Sequence, residues 1–120
     1  MFRMRVLKKN HAFSHIIRRG KRLRGRYLSI HYRKRRDRDP SRFGVTCSKG
    51  IGNAVERNRL KRQLREIART FTSELPDAYD FVFMARPHAK DTEYQLMLSE
   101  ARSLLNASNL LERSRNEQKD

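Results

Sequence analysis

The chain has 120 residues, enough for one domain with a modest core, and its 37% apolar share falls below the ~45–50% usual for globular chains. Lys and Arg number 29 against 13 Asp and Glu, a net charge of +16 that a compact fold tolerates best when its partner is a polyanion: RNA, DNA or an anionic membrane. The single Cys47 excludes an internal disulfide and a cysteine-built zinc cage, and no apolar run reaches the length of a secretory signal or a membrane span.

These features imply a cytoplasmic protein. The acid-free N-terminus shares that property with organellar transit peptides, but it is poor in Ser and runs directly into a strand pattern. Residues 1–36 carry fourteen Lys or Arg and no acid, residues 37–83 carry nine against seven, and residues 84–120 carry six against six. The polyanion site is therefore expected in the first two thirds, with scaffold in the last.

Asn10 to Gly20 predicts a short helix, with Asn10 as N-cap, Phe13, Ile16 and Ile17 on one face and Gly20 at C′. From Tyr27 to Arg33, Leu28, Ile30 and Tyr32 alternate with Tyr27, Ser29, His31 and Arg33 as in a strand. Lys34 to Ser41 reads as a polar loop. A second strand follows, with Phe43, Val45 and Cys47 on one face and Gly44, Thr46 and Ser48 on the other. The short loop suggests that the two strands pair antiparallel.

The clearest helix opens at Asn53, with Glu56 as capping-box partner, and ends near Thr72; Leu60, Leu64, Ile67 and Phe71 form its core seam. Tyr79 to Ala85 is a buried strand closed by Arg86-Pro87. A last helix runs from Tyr94 to about Leu111 behind a Thr92/Gln95 capping box, and the tail from Glu112 is expected to fray. The order is αββαβα in a single α+β domain spanning residues 1–111, with residues 112–120 as tail.

On the central helix, at ~100° per residue, Arg57, Asn58, Lys61, Arg62, Arg65 and Arg69 fall within an arc of roughly 140°. The apolar seam lies elsewhere, Glu56 and Glu66 lie outside the basic arc, and Arg59 points away. A solvated face is the bland alternative, but such faces mix signs for i,i+4 pairing. A nearly acid-free arc beside an acid-free N-terminal third favours nucleic acid.

Two strings carry a resemblance. They are Arg42-Phe43-Gly44-Val45-Thr46-Cys47-Ser48-Lys49 and Gly52-Asn53-Ala54-Val55-Glu56-Arg57-Asn58-Arg59-Leu60-Lys61-Arg62-Gln63-Leu64-Arg65-Glu66. They resemble the bacterial ribonuclease P protein family, whose mark is Arg-Asn-Arg, then Lys-Arg, then Arg-Glu on a helix after a strand ending in Ser-Lys. Phe13, Gly20-Lys21-Arg22, Arg26-Tyr27, Ala85-Arg86-Pro87 and Leu104-Leu105 extend the likeness over about residues 5–110.

The resemblance implies an αββαβα sandwich with an unusual left-handed crossover, against the common hand. It also implies assembly with a catalytic RNA that holds magnesium and removes the 5′ leader of precursor tRNA, with no tight metal site on the protein. Arg57, Asn58, Arg59, Lys61, Arg62 and Arg65 then match the positions that bind catalytic RNA. Phe13, Ile17, His31, Thr46, Ser48 and Lys49 match those near the leader. Membrane and DNA are not expected partners.

The chain departs from the family pattern at Ile17 and His31, where aromatics are usual, and at Gly50, where a lysine is usual. Ile17 implies weaker base contact. His31 implies stacking with pH sensitivity near its ordinary pKa of ~6.5.

Other constellations do not cohere. Gly50-Ile51-Gly52 begins a dinucleotide fingerprint, but Val55 stands at the third glycine position and no Walker lysine follows. The glycines suit a tight strand-to-helix turn, and equally a phosphate at the helix start. His11, His15, His31 and His88 lack ligand spacing, Cys47 reads as core, and no acid/base pair is apparent. A general or ribosomal RNA-binding protein and an autonomous nuclease remain as alternative classes, the latter disfavoured by the missing catalytic cluster.

Overall fold

In the computed structural model, residues 5–8 and 11–111 are described. The N-terminal elements are β1 (Arg5–Val6), α1 (His11–Arg19), β2 (Lys21–Arg24), β3 (Leu28–Lys34) and β4 (Arg42–Cys47). After them come α2 (Ala54–Phe71), β5 (Tyr79–Ala85), a 3-10 turn (Pro87–Ala89) and α3 (Tyr94–Ala107). The expected α+β order is present, with two short strands added in the basic N-terminal region. Asn10 and residues 112–120 lie outside the described residues.

The five strands form one sheet in the order β1-β4-β5-β3-β2. One expectation is overturned: β3 and β4 do not pair. β5 lies between them, antiparallel to β3 and parallel to β4. The reason is burial. Apart from Asp80, Tyr79 to Ala85 is apolar on both faces and belongs at the centre, where both faces are covered, whereas more polar residues interrupt β3 and β4. β2 closes one side as a hairpin with β3, and β1 adds a two-residue parallel edge to β4.

The core lies between one sheet face and the helices α2 and α3. Leu60, Leu64, Ile67 and Phe71 are fully buried against Phe43, Phe81 and Phe83, each side chain contributing about 1.5–3 kcal/mol by leaving water. Phe43 and Phe81, opposite one another in register, stack with centroids 5.3 Å apart. On the other face, α1 builds a smaller cluster from Leu7, Phe13, Ile16 and Val82.

The ends of α2 follow the sequence. Asn53 accepts from the Glu56 amide at 2.9 Å, the Glu56 carboxylate accepts from the Asn53 amide, and Thr72 caps the C-terminus. The second expected capping box does not form. Glu93 is the N-cap of α3, and the Thr92 hydroxyl donates instead to the His88 carbonyl, which closes the 3-10 turn. That helix ends at Ala107, short of Leu111, where Ser108 and a left-handed Asn109 redirect the chain.

Candidate nucleic-acid interface

The cations divide into two groups. Arg35 and Arg42 hold Asp80, Arg69 pairs with Glu66 and Arg102 with Glu74. Two motif arginines brace backbone: Arg57 donates to the carbonyls of Ile51 and Gly52, and Arg59 to that of Lys90 at 2.7 Å. Asn58, Lys61, Arg62 and Arg65 make no side-chain hydrogen bond or ion pair among the described residues. These four stand at i, i+3, i+4 and i+7, one stripe along α2.

The stripe is narrower than the arc expected from sequence, because Arg69 is neutralised by Glu66 and Arg57 is turned back onto the preceding loop. That loop carries Gly50 and Gly52 at positive φ, +85° and +47°, which accounts for both glycines by conformation. At the start of α2 the capping box takes two of the amides, those of Asn53 and Glu56.

Lys61 and Arg65 also line a cavity of about 290 Å³, together with Lys8, Phe13, Gly44 and Val45. Phe13 is buried because Gly44 has no side chain; a Cβ at that position would overlap the Phe13 ring. The first-helix aromatic and the basic helix therefore meet at the β4 edge. Lys8 and Val45 were not singled out from sequence, although the acid-free N-terminal third pointed to that neighbourhood.

Strand register places the remaining candidates. Gly44, Val82, His31 and Arg22 form one row across the sheet, and Thr46, Met84, Ser29 and Arg24 the next row on the same face. Val82 belongs to the cluster under α1, so the first row lies beneath that helix. Ile17 is half-buried against the same cluster. Thr46 is buried in the second row, Ser48 donates its amide to the Ala85 carbonyl at 2.9 Å, and Lys49 is exposed beyond the strand end. The Ser48 hydroxyl is buried without a partner. Cys47 is half-buried and its thiol donates to the Arg57 carbonyl, in keeping with a packing role.

His31 requires a correction. It is 1% exposed, so its ring offers no open face for stacking in this conformation. Its Nε2 lies 2.9 Å from Ser29 Oγ, and Nδ1 is buried without a partner. A proton on Nε2 leaves only a lone pair unsatisfied at Nδ1. Burial, and then the charge of Arg22, push the imidazole pKa below its ordinary value, so the ring is neutral at pH 7.

The unfolded chain takes up a proton at ~6.5 that the folded one resists, so stability from this site is intact above that pH and declines below it. Urea unfolding of His31→Gln should show a flatter decline between pH 6.5 and the lowered folded value. A profile unchanged from the parent chain would remove His31 as its source.

Among the described residues, no three His, Cys, Asp or Glu side chains gather as a metal site. No described helix is long and apolar enough to cross a membrane.

The family described as Ribonuclease P matches residues 1–109. The chain belongs to that family. It is 36% identical over 116 residues to the ribonuclease P protein component of Carboxydothermus hydrogenoformans, covering 95% of this chain and 97% of that one. It is 34% identical to that of Oceanobacillus iheyensis, covering 92% and 91%.

Among solved structures, the RNase P protein of Staphylococcus aureus superposes with a TM-score of 0.78 at 28% identity, covering 91% of this chain and 99% of that one. The RNase P protein of Thermotoga maritima gives 0.72 at 30% identity, covering 86% and 96%. Membership makes this chain the protein subunit of a ribonucleoprotein endoribonuclease that processes tRNA, with an RNA as partner.

Proposed function

We propose that the chain binds the catalytic RNA of ribonuclease P along α2 and holds the single-stranded 5′ leader of precursor tRNA against the α1 side of the sheet. The observation that carries this reading is the unneutralised stripe Asn58, Lys61, Arg62 and Arg65, joined to Phe13 through a shared cavity. Arg57 and Arg59 set the ends of that surface through the carbonyls they hold, and their remaining donors face the same RNA.

The leader lies along Phe13, Ile17, Thr46, Ser48 and Lys49. His31 acts from below, fixing Ser29 in the same row as Thr46. Hydrolysis of the leader phosphodiester belongs to the RNA, which holds the magnesium; the protein brings the two RNAs together. The setting is the bacterial cytoplasm, and neither DNA nor membrane is a partner.

Lys61→Ala and Arg65→Ala should each weaken association with the catalytic RNA and flatten its salt dependence by ~0.7–0.9 log units for every phosphate no longer neutralised. Filter binding across a salt series reads both quantities. Unchanged slopes in both variants would reduce the stripe to a solvated face. In parallel, precursor cleavage should need protein and RNA together at low magnesium. Cleavage by RNA-free protein alone would overturn the assignment of the chemistry to RNA.

A further inference from the structure

The sheet is not closed where the α2 stripe passes its β4 edge. β1 pairs with only the first part of β4: the Leu7 amide donates to the Phe43 carbonyl at 2.8 Å, and the ladder ends there. The chain then leaves the edge, because the Leu7 carbonyl lies over the α1 face of Gly44, 3.2 Å from where a Cβ would stand. Phe43 thus turns its main-chain groups toward β1, while Ser48 turns its amide toward β5 and the Ala85 carbonyl. Alternation puts the amide and carbonyl of Val45 on the β1 side, one step past the last paired residue. Neither has a partner among the described residues.

This open donor and acceptor stand at the cavity of about 290 Å³ that Val6, Lys8, Val45, Lys61 and Arg65 line. Lys8, like Lys61 and Arg65, makes no side-chain hydrogen bond or ion pair among the described residues. Phe13 and Phe43 lie in the floor at 5% and 1% exposure, so no aromatic face is offered. The recess instead presents one main-chain donor, one acceptor, two aliphatic side chains and three cations.

A strand from another chain would need several successive open positions, and β4 ends at Cys47, two residues beyond Val45. A nucleotide fits the same parts better. Each of the four bases carries a donor beside an acceptor on its Watson–Crick edge, and the cations match the phosphates on either side. A base paired in a helix has that edge occupied, which selects one extruded from a bulge or loop.

We propose that the open edge of β4 at Val45 receives one unpaired base of the catalytic RNA, held by main-chain hydrogen bonds, while Lys8, Lys61 and Arg65 take its flanking phosphates. Two of these three cations belong to the α2 stripe, which makes the catalytic RNA rather than the leader the source. The inference rests on the α2 reading given above and adds a base contact to it.

The test uses holoenzyme reconstituted from the full chain and the catalytic RNA. Dimethyl sulfate modifies adenine N1 and cytosine N3, and a carbodiimide modifies guanine N1 and uracil N3. Together they report free Watson–Crick edges. The parent protein should shield one unpaired base of the catalytic RNA. Val45→Pro removes the outward amide, a change that an edge strand tolerates, and should leave that base reactive. Association should weaken about fivefold, as for one lost hydrogen bond, with an unchanged salt slope because no phosphate contact is removed. The α-hydroxy acid of valine at position 45 replaces the N–H by an ester oxygen and keeps the side chain. It should act in the same way, and it decides the matter if the proline variant does not fold.

Shielding retained in the ester variant would overturn the proposal. So would shielding of a leader base instead of one in the catalytic RNA, or of no base at all. The α2 reading fails separately. If Lys61→Ala and Arg65→Ala leave the salt slope unchanged while the ester variant still exposes the base, the stripe reading falls and the edge contact stands.

Discussion

Replacing Glu100 with alanine is expected to lower folding stability by about 2–4 kcal/mol, the cost of stranding charge-assisted hydrogen bonds at a partly buried turn. One carboxylate oxygen accepts from the amides of Tyr27 and Leu28 at 2.8 and 2.9 Å, and the other from the amide of Arg26 at 2.8 Å. The β2–β3 turn thus wraps around a side chain of α3. It comes so close at Gly25 that a Cβ there would overlap the Glu100 carboxylate. Arg86 closes the other side, its amide donating to the Tyr27 carbonyl and its guanidinium to that of Gly25. Glu100→Gln keeps an acceptor and should lose about half as much as the alanine variant. Urea unfolding gives the magnitude, and amide exchange at residues 26–28 gives the location. Unchanged protection at those amides in Glu100→Ala would show that the turn stands without its clamp.

The second large effect is expected at Asp80. Its carboxylate receives Arg42 through two nitrogens, at 2.8 and 2.7 Å, and Arg35 at 2.7 Å. Arg35 also donates to the carbonyls of Tyr79, Asp39 and Pro40 and to Asp37, so the β3–β4 loop is folded around one guanidinium. Removing the buried acid leaves two cations side by side. Because the Arg42 side chain is 36% exposed, the low end of the buried-pair range applies, and Asp80→Asn should cost about 2–3 kcal/mol.

Burial alone would raise the Asp80 pKa, but hydrogen bonds from Arg42 and Arg35 and their charges more than reverse this and leave it below the ordinary value. Stability from Asp80 is therefore complete above ~3.9 and is lost as pH falls through the lowered folded value. Asp80→Asn should lack that acid-range component. A variant that unfolds at the same urea concentration as the parent at pH 7 would show that the two arginines do not need the acid.

The α2 helix was legible in detail from sequence, because its signals are local. Asn53 and Glu56 are three residues apart, and Leu60, Leu64, Ile67 and Phe71 repeat with the helical period. The pairing of the sheet was not legible, since a loop of suitable length between β3 and β4 says nothing of a later strand that inserts between them. β1 and β2 were missed because Arg5-Val6 and Lys21–Arg24 are short and mostly cationic, and become strands only through the neighbours they pair with. The basic arc on α2 was visible, but its sorting into bracing and unpaired side chains was not. That sorting depends on carbonyls such as that of Lys90, thirty-one residues from Arg59. His31 was misread for a similar reason: alternation gave its face of the sheet correctly, while only the path of α1 decides that the ring is covered.

The central position of β5 carries a consequence for biosynthesis. Four of the five strands leave the ribosome before it, and both β3 and β4 wait for the same missing neighbour. At ~5–20 residues per second, the 38 residues from the end of β4 to the end of β5 take about 2–8 s to translate. During that interval the most cationic part of the chain emerges without a completed sheet, beside the rRNA of the ribosome itself. A nascent chain arrested shortly after Cys47 should therefore cling to RNA without selectivity. One released past Ala85 and given its C-terminal helix has the parts to fold, which makes the last third of the sequence the step that turns indiscriminate charge into a shaped surface.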